Sequence, residues 1–308
     1  MNANIPDSPL RGILLANLAV IIFTLMDGLV KIAAEKYPIG QIVFFRNLCA
    51  FLPVLWFISR SGGMSLLRTR RPWAHIIRGI VGVSAMASFF LSYKLLPLSE
   101  AIAIGLSAPI FITLLSVPFL GEKVGMRRAI AIAIGFIGVL FMTRPDINGF
   151  GWGAWVAIFS AILYAFAMIA IRKLGKSESS LTIVFYFTLF AMFTSGLSLP
   201  WQWNNPDTKG LILLIVIGMM GGFGQIAITT AIKSAPVSII APFDYMALVY
   251  GMIIGNIFWD EQPSFHLLLG AALVIGSGLY ILWRETRLKR SRSPISPIID
   301  PAMTSDKG

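Results

Sequence analysis

The sequence predicts an all-α membrane protein of ten transmembrane helices, built as two inverted five-helix repeats. Three observations carry that expectation. Apolar runs of about twenty residues, the length that crosses a hydrocarbon core of roughly 30 Å, recur along the whole 308-residue chain. The chain is 56% hydrophobic and only 13% charged, against roughly 25% charged in an average soluble domain, which excludes a soluble globule. The chain also repeats itself. The stretch 97–122 (PLSEAIAIGLSAPIFITLLSVPFLGE) returns as 236–261 (PVSIIAPFDYMALVYGMIIGNIFWDE). One ungapped offset superposes Pro97 on Pro236, Glu122 on Glu261, Gly79 on Gly218, Gly82 on Gly221 and Lys94 on Lys233. Coincidental Leu, Ile and Ala matches mean little in so apolar a chain. The Pro, Lys, Glu and Gly pairs identify a tandem duplication.

Taken in order, residues 1–11 form a short polar tail. The first repeat, 12–143, holds spans at 12–34, 39–58, 73–95, 98–120 and 126–143. The second, 151–283, holds spans at 151–172, 180–199, 210–233, 237–258 and 264–283. The first apolar run is too long for a signal-peptide core and no small-residue cleavage site follows it, so it is expected to stay as a span. Residues 284–308 are basic and then Ser/Pro-rich, the composition of a disordered tail.

Orientation follows from the basic residues. One set of alternate loops and ends carries Arg11, Arg60, Arg68, Arg70, Arg71, Lys123, Arg127, Arg128, Lys173 and the arginines after 283. The opposite set carries only Lys36, Lys94, Arg144 and Lys209. This bias places both termini in the cytoplasm of an inner-membrane protein. It also accounts for the net charge of +11 without a nucleic-acid partner. Because each half has an odd number of spans, the second enters from the opposite side. Halves related in this way place a substrate site at their interface near the midplane.

Candidate functional residues are polar groups inside spans, where a charge costs roughly 2.5–3.5 kcal/mol on insertion scales. Asn17, Thr24, Asp27 and Lys31 fall on one narrow stripe of the first span. Two readings stay open: a cavity-facing site, or an Asp27–Lys31 pair that helps assembly. Arg46 lies at the same depth as Asp27, roughly 10 Å below the outer end of its span, so the two can meet across the first hairpin. Its planar fork suits a carboxylate or similar acceptor; the plainer alternatives are an ion pair with Asp27 or snorkelling. Asp244 lies about seven residues into the ninth span beside Phe243 and Tyr245, and its repeat counterpart is Gly105. A carboxylate that breaks the repeat suggests a site used once, against the reading of a buried packing acid. Gln225 follows Gly218, Gly221, Gly222 and Gly224 in the eighth span; this spacing favours close helix approach, with Gln225 and Thr229 as further lining candidates. Pro97, Pro236, Gly79 and Gly218 read as structural. So do Glu122 and Glu261, each expected to hold a short turn through the amides of the following helix.

Pro97, Ala101, Pro109, Leu120-Gly121-Glu122 and the run GFIGV at 135–139, echoed more weakly in the second half, resemble the EamA-type domain of the drug/metabolite transporter superfamily over about residues 10–285. FFRN at 44–47 and RPWAHIIRG at 71–79 resemble the branch containing S-adenosylmethionine and riboflavin uptake carriers. The resemblance implies ten helices, inverted halves and secondary transport of a small-molecule metabolite.

The expected function is therefore alternating-access transport of a small polar metabolite, favoured as uptake of a vitamin or nucleoside-like compound. Export of amino acids or related metabolites is the alternative. An intramembrane enzyme is the different-class rival, but there is no HExxH and His75 and His266 lie near span ends. A channel suits a ring-lined pore rather than scattered single polar residues. No Walker A sequence is present, so no ATP site is expected. The single Cys49 excludes an internal disulfide and a Cys-ligated metal cluster, and no metal or other cofactor is expected.

Overall fold

The structure, a computed structural model, describes residues 9–120, 126–143, 151–175, 177–234 and 241–292. Among them it contains helices and turns only. In the first half these are α1 (Pro9–Lys36), α2 (Ile39–Ser61), α3 (Pro72–Leu95), α4 (Leu98–Gly105), α5 (Ala108–Leu120) and α6 (Met126–Thr143). In the second they are α7 (Trp152–Leu174), α8 (Ser180–Gln202), α9 (Thr208–Ser234), α10 (Met246–Trp259) and α11 (Phe265–Arg292). Seven helical segments are long and apolar enough to cross a membrane, and three shorter apolar helices accompany them at 129–143, 243–259 and 265–281. Large apolar side chains such as Leu14, Leu52, Ile80, Phe193 and Ile253 point outward, as a lipid-facing surface requires and a water-facing one does not.

The ends of these helices follow from local chemistry. Pro72 opens α3, where its missing N–H is an orphan in any helix. Ser179 caps α8, its Oγ accepting from the Thr182 amide at 3.1 Å. Gly62 and Gly63, with φ of 134° and 66°, turn the chain after α2 in backbone conformations that side chains rarely adopt.

Two expected spans are interrupted. The stretch 98–120 breaks between α4 and α5 at Leu106 and Ser107, where the Ser107 hydroxyl turns back to the Ile104 carbonyl at 2.5 Å. The stretch expected as a continuous ninth span contains a 3-10 turn, Ala241–Tyr245, before α10 begins at Met246. The repeat offset carries Leu106 onto Tyr245, the last residue of that turn, and the first residue of α5, Ala108, onto Ala247, one residue past the start of α10. The helix after the interruption therefore begins at nearly the same register in both halves. Asp244 consequently lies in the turn rather than inside a helix. At the other end of the chain α11 continues to Arg292, so residues 284–292 extend the last helix instead of opening the tail.

The helix contacts also respect the repeat. α1 packs on α9 and α3 on α7; α2 packs on α8 and α6 on α11. Exchanging the halves maps the first two contacts onto each other and each of the last two onto itself. The core gathers Val30, Ile42, Tyr93, Leu98, Ile217 and Ile254 from α1, α2, α3, α4, α9 and α10. Gly218 and Gly79 lie at tight contacts. A Cβ at Gly218 would meet the Phe45 carbonyl at 2.7 Å, and one at Gly79 would meet Phe190. Hence α9 approaches α2, and α3 approaches α8, more closely than any side chain would allow.

Candidate functional site

Asp27 and Arg46 lie within electrostatic reach of each other, without an ion pair between them among the described residues. The half-buried Asp27 carboxyl on α1 faces the Arg46 guanidinium of α2 and the Tyr93 hydroxyl of α3. Arg46 is buried; its Nη1 donates to the neighbouring Asn47 Oδ1 at 3.1 Å, and its Nε has no hydrogen-bond partner. Gly221 of α9 makes room for that guanidinium, since a Cβ there would lie 3.0 Å from Nε.

The Asp27–Lys31 pair does not form. Lys31 Nζ instead makes an ion pair with Glu261 Oε1, donates to the Leu96 carbonyl at 3.1 Å and sits 4.9 Å from the Trp259 ring centroid. The second carboxylate oxygen of Glu261 accepts from the Leu98 amide at 2.7 Å. That amide opens α4, whose entering residue is Pro97. Glu261 was expected to cap the helix that follows it, α11. It caps a helix of the other half, because Ser264 already supplies the α11 cap, Oγ accepting from Leu267 N at 3.2 Å. Glu122 and Pro236 lie outside the described residues.

The remaining candidates separate by what their polar atoms already do. Thr24 is buried with its hydroxyl returned to the Val20 carbonyl at 2.8 Å, which leaves a helix-internal tie. Asn17 accepts from Tyr250 of α10 at 2.8 Å and so joins the two halves. Gln225 is half-buried on α9. Phe45 of α2 is engaged with Phe44 and Trp203 at centroid distances of 5.7 and 6.1 Å.

Asp244 is accessible at the helix break. Its charge acts on Tyr164 of α7 and on its neighbour Tyr245. Tyr245 in turn packs over Gly278 of α11. Tyr164 also senses Arg78 of α3, and Arg78 senses Arg46. Asp27, Arg46, Arg78, Tyr164 and Asp244 therefore form one electrostatically linked series that runs from α1 through α2, α3 and α7 to the second-half break. Arg78 is not among the candidates read from the sequence. Arg78 was visible as a charge six residues inside the third expected span, a placement that marks a functional candidate by default. A groove of about 380 Å³ between α6 and α11, lined by residues such as Ile130, Ile134, Leu273 and Tyr280, contains none of this series. The linked groups lie on α1, α2, α3, α7 and the second-half break, away from that cleft.

The sequence profile of the EamA-like transporter family matches residues 10–144 and again 151–283. The chain belongs to the EamA-like transporter family. EamA relatives with known names align over most of this chain. A riboflavin transporter of Rhizobium johnstonii is 30% identical over 92% of this chain and 95% of its own. A pseudopaline exporter of Pseudomonas aeruginosa is 30% identical over 86% and 93% respectively. An S-adenosylmethionine uptake transporter of Rickettsia prowazekii is 27% identical over 92% and 96%. A solved crystal structure of 20% identity superposes with a TM-score of 0.62 over 89% of this chain and 98% of that one, a likeness of fold. EamA membership makes the protein a multi-pass membrane transporter and not an enzyme.

Proposed function

We propose that this EamA protein is a secondary transporter of the inner membrane that moves a small polar metabolite by alternating access. Its ten spans form two inverted five-helix halves with both termini cytoplasmic. The observation that carries the reading is the linked series from Asp27 to Asp244, which joins elements of both halves and ends on the helix break. Interrupted helices at corresponding places in two repeats are the usual pointer to a binding site in such transporters, because broken backbone is tolerated only where it is buried or lines a cavity.

The favoured direction is uptake of a vitamin or nucleoside-like compound, supported by the relatives named for riboflavin and S-adenosylmethionine. Export is the second reading, supported by the pseudopaline exporter at equal identity to the first relative. The two predict opposite phenotypes. An importer restores growth to a cell unable to make the compound, whereas an exporter raises tolerance to an excess of it. Purified protein in proteoliposomes should show saturable flux of a labelled metabolite without ATP, diminished by Asp244→Asn. Flux that requires ATP, or none for S-adenosylmethionine, riboflavin or amino acids, counts against the proposal. Single-cysteine labelling in a Cys49→Ser background tests orientation; modification of the 59–72 loop from outside intact cells would remove the inverted arrangement.

A further inference from the structure

Arg78 is the least satisfied charge in the described structure. It lies on α3, where its face turns towards α8 and α7. Its Nε and Nη1 are buried and have no hydrogen-bond partner. It takes part in no salt bridge among the described residues. What surrounds it is a seat rather than a counter-charge. The Phe187 ring lies 4.3 Å from the guanidinium carbon, and Gly82 provides the space, since a Cβ there would collide with Nη1 and approach Phe187 to 2.9 Å. The charges that act on Arg78 are those of Tyr164 and of Arg46, the second a like charge. No carboxylate is among the charges that act on Arg78; Asp27 is engaged by Tyr93 and Arg46, and the charge of Asp244 acts on Tyr164 and Tyr245. Arg46 adds another buried N–H without a partner, its own Nε.

Two guanidiniums within range of each other, each with unused donors, leave both charge and hydrogen-bonding capacity unmet in the bilayer interior. An arriving anion meets both needs at once. A planar guanidinium held flat on an aromatic face presents its fork to a carboxylate or phosphate, for which its geometry is suited. Resting on the transporter reading above, we infer that the transported solute carries a carboxylate or phosphate group and that Arg78 receives it, with Arg46 as the second cation. Among compounds of the kinds named for the relatives, this favours a carboxylate-bearing solute such as S-adenosylmethionine over uncharged riboflavin.

Matched pairs of probes test the inference on the full chain in detergent: S-adenosylmethionine against its decarboxylated form, and riboflavin 5′-phosphate against riboflavin. Thermal unfolding is followed as each is titrated. The expected result is that a carboxylate- or phosphate-bearing member stabilises the protein at a concentration at least tenfold below the partner that lacks that group. Arg78→Gln should abolish that preference, and Arg78→Lys should retain only part of it. Equal response to the members of both pairs in the unmodified protein overturns the inference, whether or not the variants fold. So does a preference that survives Arg78→Gln, and so does silence from both the carboxylate-bearing and the phosphate-bearing probe. Proteoliposome flux separates the two levels. Saturable flux of a neutral solute that Arg78→Gln leaves intact would end the anion inference and leave transport standing, while absence of any flux strikes the transporter reading itself.

Discussion

Lys31 and Arg78 are both cations inside spanning helices, and the structure treats them in opposite ways. Lys31 is answered from three sides, by the Glu261 carboxylate, the Leu96 carbonyl and the face of Trp259. Arg78 is answered by one ring face, with Tyr164 and the like charge of Arg46 acting on it and no ion pair or hydrogen bond to its Nε or Nη1. The first arrangement ties α1 to the end of α10 and, through the Leu98 amide, to the start of α4. The second holds a charge ready and leaves its donors idle. A buried charge in a membrane protein thus has to be judged by how completely its neighbours use it. Complete use marks fold, and incomplete use marks function.

The largest effect follows from undoing the complete arrangement. Glu261→Ala leaves the Lys31 ammonium and the Leu98 amide without their acceptor. Removing one partner of a buried pair costs about 3–5 kcal/mol, enough to show as a large drop in unfolding temperature in detergent. Adding Lys31→Met should recover much of the loss, because the stranded charge is then gone. If Glu261→Ala were silent in thermal unfolding, Lys31 would belong with Arg78 and the contrast would fail.

The second prediction addresses the intermediate case. Asp27 and Arg46 face each other, yet Arg46 keeps one donor unused. Were the pair only structural, replacing both charges together would restore function. Arg46→Lys and Asp27→Asn should each lower transport by tenfold or more, the lysine variant because an ammonium does not reproduce the planar fork. Asp27→Asn with Arg46→Gln should stay inactive while remaining folded. Recovery of flux in the double variant would move this pair to the structural side of the comparison.

How much of this was legible in the sequence depends on the range of the interaction. Helices are written in composition: among the described residues seven segments long and apolar enough to cross a membrane, and three shorter apolar helices, fall on the apolar runs. The Asp27–Arg46 proximity was legible because it needs only the depth of two residues on a short hairpin. The helix breaks were not, because Leu106, Ser107 and Phe243 sit within apolar runs. The available signals were Pro109, in the first turn of α5, and Pro242, within the 3-10 turn. The Lys31–Glu261 pair joins residues 230 positions apart. Nothing local distinguishes that partner from Asp27, which shares the stripe of Lys31. Arg78 was legible as a charge within a span, but its lack of partners is a property of α7 and α8 packing around it.

The smallest effect is expected outside the membrane, where a polar contact is complete but exposed. Asp207 precedes α9 and accepts from the Gly210 amide at 2.9 Å and from the Tyr37 hydroxyl at 3.2 Å. The Gly210 amide, with Tyr37 and Lys36 adding to it, holds the carboxyl below its usual 3.8. A carboxylate whose value is lowered by folding contributes stability that is present above the unfolded value and fades as pH falls through the lower folded value. Because the group is exposed, water already serves it well in the unfolded chain and salt screens its charge. Asp207→Ala should therefore lower the unfolding temperature by only about 1–3 °C at neutral pH. The gap between variant and parent should narrow as pH drops below 3.8. Asp207→Asn, which keeps a cap but no charge, should behave nearly like the parent at neutral pH and lack the pH-dependent part. A loss as large as that of Glu261→Ala would mean that burial is not what separates these contacts, and the distinction drawn between Lys31 and Arg78 would need another basis.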